Sequence, residues 1–181
     1  MTYWFTSDYH LGHTNIIKYC NRPFNNIEDM NKTIIHNHNS RVKPEDTIFH
    51  IGDFCFRNTE GGKEGEGETD KAEYYIKQLN GRFVFIQGNH DKNNSLKTCI
   101  QNVTIKLGGE DIFLTHIPED FNHNFKLNLV GHVHQAWKIK KVNNGKNILI
   151  NVGADVWKFM PINIEEILRE VSKNEKNRRT E

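Results

Sequence analysis

One domain of the α/β class is what these 181 residues predict, and three observations predict it. The first half alternates short apolar runs with stretches of helical periodicity, in the order strand, helix, strand, helix, strand. The second half carries apolar runs paired around Gly and Asn turns, which read as hairpins. The length suits a single domain with a proper core.

The first strand, Tyr3 to Thr6, is short and aromatic. Asn25 reads as a helix N-cap with Glu28 completing a capping box, and Ile27, Met30 and Ile34 then recur at helical spacing. Pro44 and Glu45-Asp46 end that unit, and Ile48 to Ile51 is a second strand. Residues 57 to 70 mix Gly61, Gly62, Gly65 and Gly67 with Glu and Lys, the composition of a flexible polar loop. Asp70 and Glu73 form another capping box before Ala72, Tyr75, Ile76 and Leu79, and Asn80-Gly81 stops that helix. Phe83 to Ile86 is continuous and apolar, as expected of a strand covered on both faces. Such alternation of strands and helices favours a parallel start to the sheet.

Asn102 to Leu107 and Asp111 to Thr115 flank Gly108-Gly109, a hairpin signal. Leu127 to Val130 is a strand, and Ala136 to Val142 and Lys146 to Ile150 flank Asn143-Asn144-Gly145, a second hairpin. Asn163, with Glu166 as its partner, caps a last helix carrying Ile164, Ile167, Leu168 and Val171. Residues 1–172 are thus expected to form the domain, and Lys173 to Glu181 a charged, flexible tail.

Composition excludes several classes. A formal net charge of +1 marks no surface for nucleic acid or membrane. A mean hydropathy of -0.72 argues against a membrane protein. Met1 to Asp8 has no basic region and no long apolar run, so it does not read as a signal peptide. Cys20, Cys55 and Cys99 are odd in number and far apart, which fits a reducing cytoplasm better than a disulfide framework. Ten histidines are many, and several sit beside Asp, Asn and Gly.

Five polar clusters each follow an apolar strand: Asp8-Tyr9-His10, Gly52-Asp53, Gly88-Asn89-His90-Asp91, His116, and Gly131-His132-Val133-His134. Ligands collect outside the carboxyl ends of strands in parallel α/β sheets, so one sheet edge can gather all five. Carboxylate, imidazole and amide oxygen together suit divalent ions such as Mn, Fe or Zn. A carboxylate shared by two ions holds them about 3.5–4 Å apart, and such a pair acidifies a water and neutralises phosphate oxygens. Any one cluster alone is an ordinary loop; the ordered set carries the reading.

These residues resemble the calcineurin-like metallophosphoesterases, from about Tyr3 to Phe159. The likeness is closest to the small bacterial and phage phosphoesterases of that family, which share the Ser-Asp-x-His-x-Gly-His start at Ser7 to His13 and the Asn-Val-Gly-x-Asp-x-Trp segment at Asn151 to Trp157. The resemblance implies a four-layer α/β/β/α sandwich with two mixed β-sheets and a dinuclear metal site at the strand ends. It implies that Asp8, His10, Asp53 and His134 hold one metal, and that Asp53, Asn89, His116 and His132 hold the other, with Asp53 bridging. It further implies that His90 lies beside the substrate phosphate and that Asp91 orients it. The chain departs from the protein serine/threonine phosphatases, because Phe54-Cys55-Phe56-Arg57 stands where they carry an Asp-Arg-Gly element.

His13, three residues past His10, and Asp155, in the last-strand loop, read as substrate-binding residues. His36 and His38 read as solvent-facing, His123 as loop surface, and Cys55 as buried packing. Trp4, Trp137 and Trp157 read as core or pocket wall. The expected activity is hydrolysis of a small phosphate ester, a nucleotide-type diester before others. A hydroxide held between two divalent ions (Mn; Fe, Zn, Ni or Mg as alternatives) attacks phosphorus directly, and His90 protonates the leaving group. The competing readings are a metal-binding scaffold that catalyses nothing and a nuclease; the charge favours neither nucleic acid nor membrane as partner.

Overall fold

The computed structural model describes residues 1–57, 67, 69–91 and 95–177, the side chains of 175–177 excepted. In chain order the elements are β1 (Tyr3–Thr6), α1 (Thr14–Tyr19), α2 (Ile27–Arg41), β2 (Thr47–Ile51), α3 (Ala72–Ile76), β3 (Arg82–Ile86), β4 (Asn102–Leu107) and β5 (Glu110–Thr115). After them come β6 (Leu127–Val130), β7 (Ile139–Val142), β8 (Asn147–Asn151), β9 (Ile162–Asn163) and α4 (Ile164–Asn177). Most of the 57–70 loop expected from composition lies outside the described residues.

Two mixed sheets result. The first has the order β3-β2-β1-β9, with β1, β2 and β3 parallel and β9 antiparallel to β1. The second has the order β4-β5-β6-β8-β7, with β5, β6 and β8 parallel and antiparallel strands at both edges. Alternation along the strands explains how they stack. Phe5, Ile51 and Ile86 of the first sheet meet Ile112, Leu114, Leu129 and Ile150 of the second in one buried cluster. Each such side chain contributes about 1.5–3 kcal/mol on burial. The opposite face of the first sheet presents Phe83 and Phe85 to a second cluster, holding Met30 and Ile34 of α2 and Tyr75 of α3. The outward side of the second sheet is covered by the 116–126 segment, with a 3-10 turn at Pro118–Asp120. There Asn128 and Asn147, both buried, bond to backbone at 122–125, and Phe125 packs on Phe113.

Local details differ from the sequence expectations in instructive ways. The cap of α2 is Asn26, not Asn25: its Oδ1 accepts the Asp29 N–H at 2.8 Å, a register that turns Met30 and Ile34 inward. Asp70 does not cap α3; Lys71 occupies the cap position and Ser95 Oγ accepts the Ala72 N–H at 2.6 Å. The capping box at the last helix does form, Asn163 and Glu166 exchanging bonds of 3.0 Å. That helix runs on to Asn177, into the stretch read as a tail. The six-residue α1 was not foreseen, since it buries Ile16 alone and shows no periodic apolar face.

His38 is the clearest correction. It is not solvent-facing but buried, on the inward side of α2. Its Nε2 lies 2.8 Å from the Asn80 carbonyl, which can only accept, so Nδ1 accepts from the Tyr9 hydroxyl at 3.0 Å. His50 lies nearby, buried with neither ring nitrogen bonded, its ring 4.9 Å from that of Tyr9. Burial pushes His38 down to about 4 and His50 down to about 3. Unfolded, both titrate near 6.5. Between that value and about 4 the unfolded chain binds protons that the folded chain refuses. The stability that these two histidines contribute is therefore complete above about 6.5 and falls with pH below it, by up to about 1.4 kcal/mol per unit per histidine. Thermal melts at several pH values between 7.5 and 5 should show this slope, flattened in a His50→Leu variant; equal slopes in variant and parent would contradict it.

Candidate metal centre

The parallel strands end at one edge, and there the two sheets join. Ser7, just past β1, bridges Gly153, just past β8, and Leu11 bridges Cys55. The Asp8 N–H donates to the Gly52 carbonyl and the His10 N–H to the Asp53 carbonyl, each at 3.0 Å. These bonds stack the loops after β1 and β2. The loops after β3, β5 and β6 supply the remaining polar clusters at the same edge.

The structure brings Asp8, His10 and His134 into one group and Asp53, His116 and His132 into another, candidate ligand atoms in each lying within 4.8 Å of one another. Asp53 stands between the groups: its Oδ2 is 3.6 Å from His10 Nε2 and 3.3 Å from His116 Nε2. Asn89 Oδ1 completes the second group, 3.1 Å from His116 Nε2 and 2.9 Å from His132 Nδ1. Ligands on one ion, each about 2.0–2.2 Å from it, sit roughly 3 Å apart, so these spacings suit shared coordination. His10 Nε2 is buried in this cluster without a hydrogen-bond partner, as a donor atom awaiting a cation would be. The donor set and its geometry therefore fit two divalent ions.

The backbone is strained to achieve this. Asp8, His10, Asp53, His132 and His134 all have positive φ, between 44° and 71°. Such conformations are uncommon for non-glycine residues and collect at functional sites. Two glycines make room for the cluster: a Cβ on Gly52 (φ +86°) would strike the His116 ring, and one on Gly88 would strike the Asp53 carboxylate.

Hydrogen bonds fix the tautomers. His116 Nδ1 lies 2.8 Å from the Ile51 carbonyl and must carry its proton there, leaving Nε2 for the cluster. Its carboxylate neighbours hold its pKa up at about 9: burial opposes this, and the bond to Asp53 with the charges of Asp8 and Asp53 outweighs it. His134 is raised to about 10 in the same way: the Asp155 bond, a bond with Cys20 and nearby carboxylate charge overcome burial. Burial raises Asp8, whereas Asp53 ends below the usual carboxylate range because the His116 bond and charge, then His10, outweigh its burial. Carboxylates packed this way hold protons on their histidines until a cation displaces them.

Two supporting roles differ from the sequence reading, and two more residues were missed by it. Asp91 does not orient the His90 ring. Its buried carboxylate accepts the backbone N–H groups of Asp53 and Gly88 at 2.8 Å and of Phe54 at 3.1 Å, bracing the turn that carries the shared carboxylate. Asp155 does not project into the site as a substrate ligand; its Oδ2 lies 3.0 Å from His134 Nδ1, behind that ring. Arg22, which sequence reasoning missed, grips both Asp155 oxygens at 2.9 Å and donates to the Asp8 and Tyr9 carbonyls at 2.6 and 2.9 Å. No local signal announces it, because 133 positions separate it from Asp155. Ser7 Oγ, also missed, donates to Asp8 Oδ2 at 2.5 Å.

His90 is exposed at the rim, its ring 5.5 Å from that of His10 and its N–H donating to Asp53 Oδ1 at 2.9 Å. His13 lies beside it, its ring 6.4 Å from His90 and 5.5 Å from His10, stacked on Phe56 at 4.6 Å.

The fold and this cluster agree with a sequence comparison: the model of the calcineurin-like phosphoesterase superfamily domain matches residues 1–171. The chain belongs to that superfamily. An uncharacterized protein of Methanocaldococcus jannaschii is 34% identical to this phosphoesterase domain over 170 residues, 92% of this chain and 89% of that protein. The gene 66 protein of Mycobacterium phage L5 is 24% identical, covering 85% and 86%. A protein of unknown function from Aquifex aeolicus shares the fold at a TM-score of 0.68 and 26% identity, over 93% of this chain and 98% of that one. Among the described residues, no helix is long and apolar enough to cross a membrane.

Proposed function

We propose that this chain is a dinuclear phosphoesterase that hydrolyses a small phosphodiester of nucleotide type in a reducing cytoplasm. The observation that carries the reading is the Asp53 carboxylate, placed between two histidine-rich groups at 3.6 and 3.3 Å. Asp8, His10 and His134 would hold one divalent ion and Asn89, His116 and His132 the other, with Asp53 common to both; manganese suits this mixed donor set. When bound, such ions acidify water at neutral pH and neutralise phosphate oxygens.

The chain's own residues supply the rest. Asp91, through three backbone N–H groups, holds Asp53 and Gly88 in register. Asp155, itself clamped by Arg22, sets the His134 ring. His90, exposed at the rim and tied to Asp53 only through its backbone, is free to turn its imidazole toward a substrate and give a proton to the leaving oxygen. A diester is favoured over a monoester because Arg22 already uses its guanidinium on Asp155 and two carbonyls, so it cannot clamp a dianionic phosphate. Among the described residues no disulfide joins Cys20, Cys55 or Cys99, and a reducing compartment suits such a chain.

A panel of bis(p-nitrophenyl) phosphate and p-nitrophenyl phosphate with Mn, Fe, Zn, Ni and Mg tests the reading. Faster turnover of the diester is expected. Turnover of the monoester alone would overturn the diester assignment, and no turnover with any metal would leave a binding scaffold.

The bracing of His134 has its own consequence. Removing a carboxylate that orients a ligand histidine typically weakens metal binding about 10–100-fold. Asp155→Asn should therefore empty the Asp8–His10–His134 group first, and metal titration should read about one tight equivalent in place of two. Two unchanged equivalents would contradict the assigned role.

A further inference from the structure

Beside the metal centre lies a cleft of about 510 Å³ between α2 and the loops after α1 and β8. Asn21, Phe24, Asn37, Gln135, Lys158 and Phe159 are among the residues that line it. Its inner wall backs onto the centre: Asp155, a lining residue, bonds His134 Nδ1 from behind the ring, and Cys20 and Gln135 line the same wall, Gln135 following that histidine directly. The cleft therefore begins where the candidate ligands end.

Backbone strain singles out the same place. Among the described residues, ten that are not glycine have positive φ. Five are candidate ligands at the metal centre and two, Asn143 and Asn144, form a hairpin turn. The remaining three, Asn21 (45°), Lys158 (56°) and Phe159 (58°), all line this cleft. Asparagine tolerates that conformation; lysine and above all phenylalanine do so only where the surroundings over-determine it. Here they do. The Asn37 amide donates to the Lys158 carbonyl at 3.3 Å, the Phe159 N–H donates to the Ala154 carbonyl at 2.9 Å, and Arg22 sits 5.5 Å from the centre of the Phe159 ring. Outside one hairpin turn, the strained positions of the described chain fall at the metal centre and along this cleft.

The lining chemistry selects a ligand class. Phe24, half-buried and edge-to-face on Phe159 at 4.8 Å, offers an aromatic wall. The carboxamides of Asn21 and Gln135, with the oxygen of Asn37, offer donors and acceptors of the kind that read the edge of a heteroaromatic base. Lys158, exposed at the rim, adds a cation for an anionic substrate. We propose that this cleft is the subsite for the base-bearing arm of a nucleotide-type phosphodiester whose phosphate lies at the metal centre. The proposal rests on the phosphoesterase reading and goes further by assigning where the substrate's organic part binds.

Two measurements on the full chain test it separately from that reading. In the first, adenosine, guanosine, cytidine and uridine are titrated into the protein loaded with diamagnetic zinc, by NMR. At least one should bind, with shifts at the cleft residues. Thr33 of α2 also lines the cleft, and Thr33→Trp, which fills it, should weaken that binding about tenfold or more. In the second, KM is compared for methyl p-nitrophenyl phosphate and for the p-nitrophenyl diester of the nucleotide whose base binds best. Thr33→Trp should raise the nucleotide KM about tenfold relative to that of the small diester, with metal content equal to the parent. The proposal is overturned if no nucleoside binds the parent, if binding is indifferent to Thr33→Trp, or if both KM values rise equally. Failure of the parent to hydrolyse the small diester would instead overturn the phosphoesterase reading, while the nucleoside titration still scores the cleft.

Discussion

Asp53→Asn should be the most damaging single ligand change, removing both ions and lowering the rate by about 10³-fold or more. The carboxylate lies within reach of both groups, its Oδ2 3.6 Å from His10 Nε2 and 3.3 Å from His116 Nε2. An amide cannot serve as a charged bridge, and its NH₂ group would turn donors toward histidine nitrogens. Two Lewis-acid ions supply several kcal/mol of charge stabilisation, and each 1.36 kcal/mol is tenfold in rate. The fold should survive, because Asn keeps an oxygen for the His90 N–H, and Asp91 still braces the backbone of residue 53. His10→Ala, by contrast, touches one group and should leave one ion bound. Elemental analysis beside kcat decides the matter: parental metal content and rate in Asp53→Asn would mean that Asp53 is not the bridge.

The loss from His90→Ala should depend on the leaving group. A positioned general acid is worth about 10²–10⁴ in rate, and it matters most when the leaving oxygen is basic. Nitrophenolate departs without a proton, so a nitrophenyl diester should lose little. A nucleoside alkoxide needs the proton, so that substrate should lose far more. Any contact between His90 and the phosphate oxygens would impose a loss common to both, and only the difference reports acid catalysis. Equal fold losses, with chemistry shown to be rate-limiting, would confine His90 to the phosphate.

Much of the fold was legible because the signals are local. Phe83 to Ile86 read as a strand covered on both faces, and β3 does pack Val84 and Ile86 inward and Phe83 and Phe85 against the helices. The Asn163 and Glu166 capping box lies within four consecutive residues and forms as expected. Where two adjacent residues cap equally well, as with Asn25 and Asn26, local pattern cannot choose, and inward packing of the helix decides.

The candidate ligands stood out because each follows an apolar strand, and parallel topology carries such loops to one edge. What supports them was not legible. Arg22, Asp155 and His134 meet only through tertiary structure, so the Arg22 clamp left no trace, and Asp155 read as a substrate residue. The family resemblance implied that Asp91 orients the neighbouring His90 ring; the turn instead points its carboxylate at backbone N–H groups 37 and 38 positions away. His38 misled for a similar reason: a polar residue on a helix reads as exposed, and its partners, Tyr9 and Asn80, are distant in the chain.

Metal content measured together with diester turnover tests the central claim most directly. The purified chain, loaded with manganese and freed of excess, should carry about two equivalents of ion by elemental analysis. It should hydrolyse bis(p-nitrophenyl) phosphate, lose that activity on exhaustive chelation, and regain it when manganese is restored. Full activity in excess chelator, with no metal found in the protein, would contradict the account.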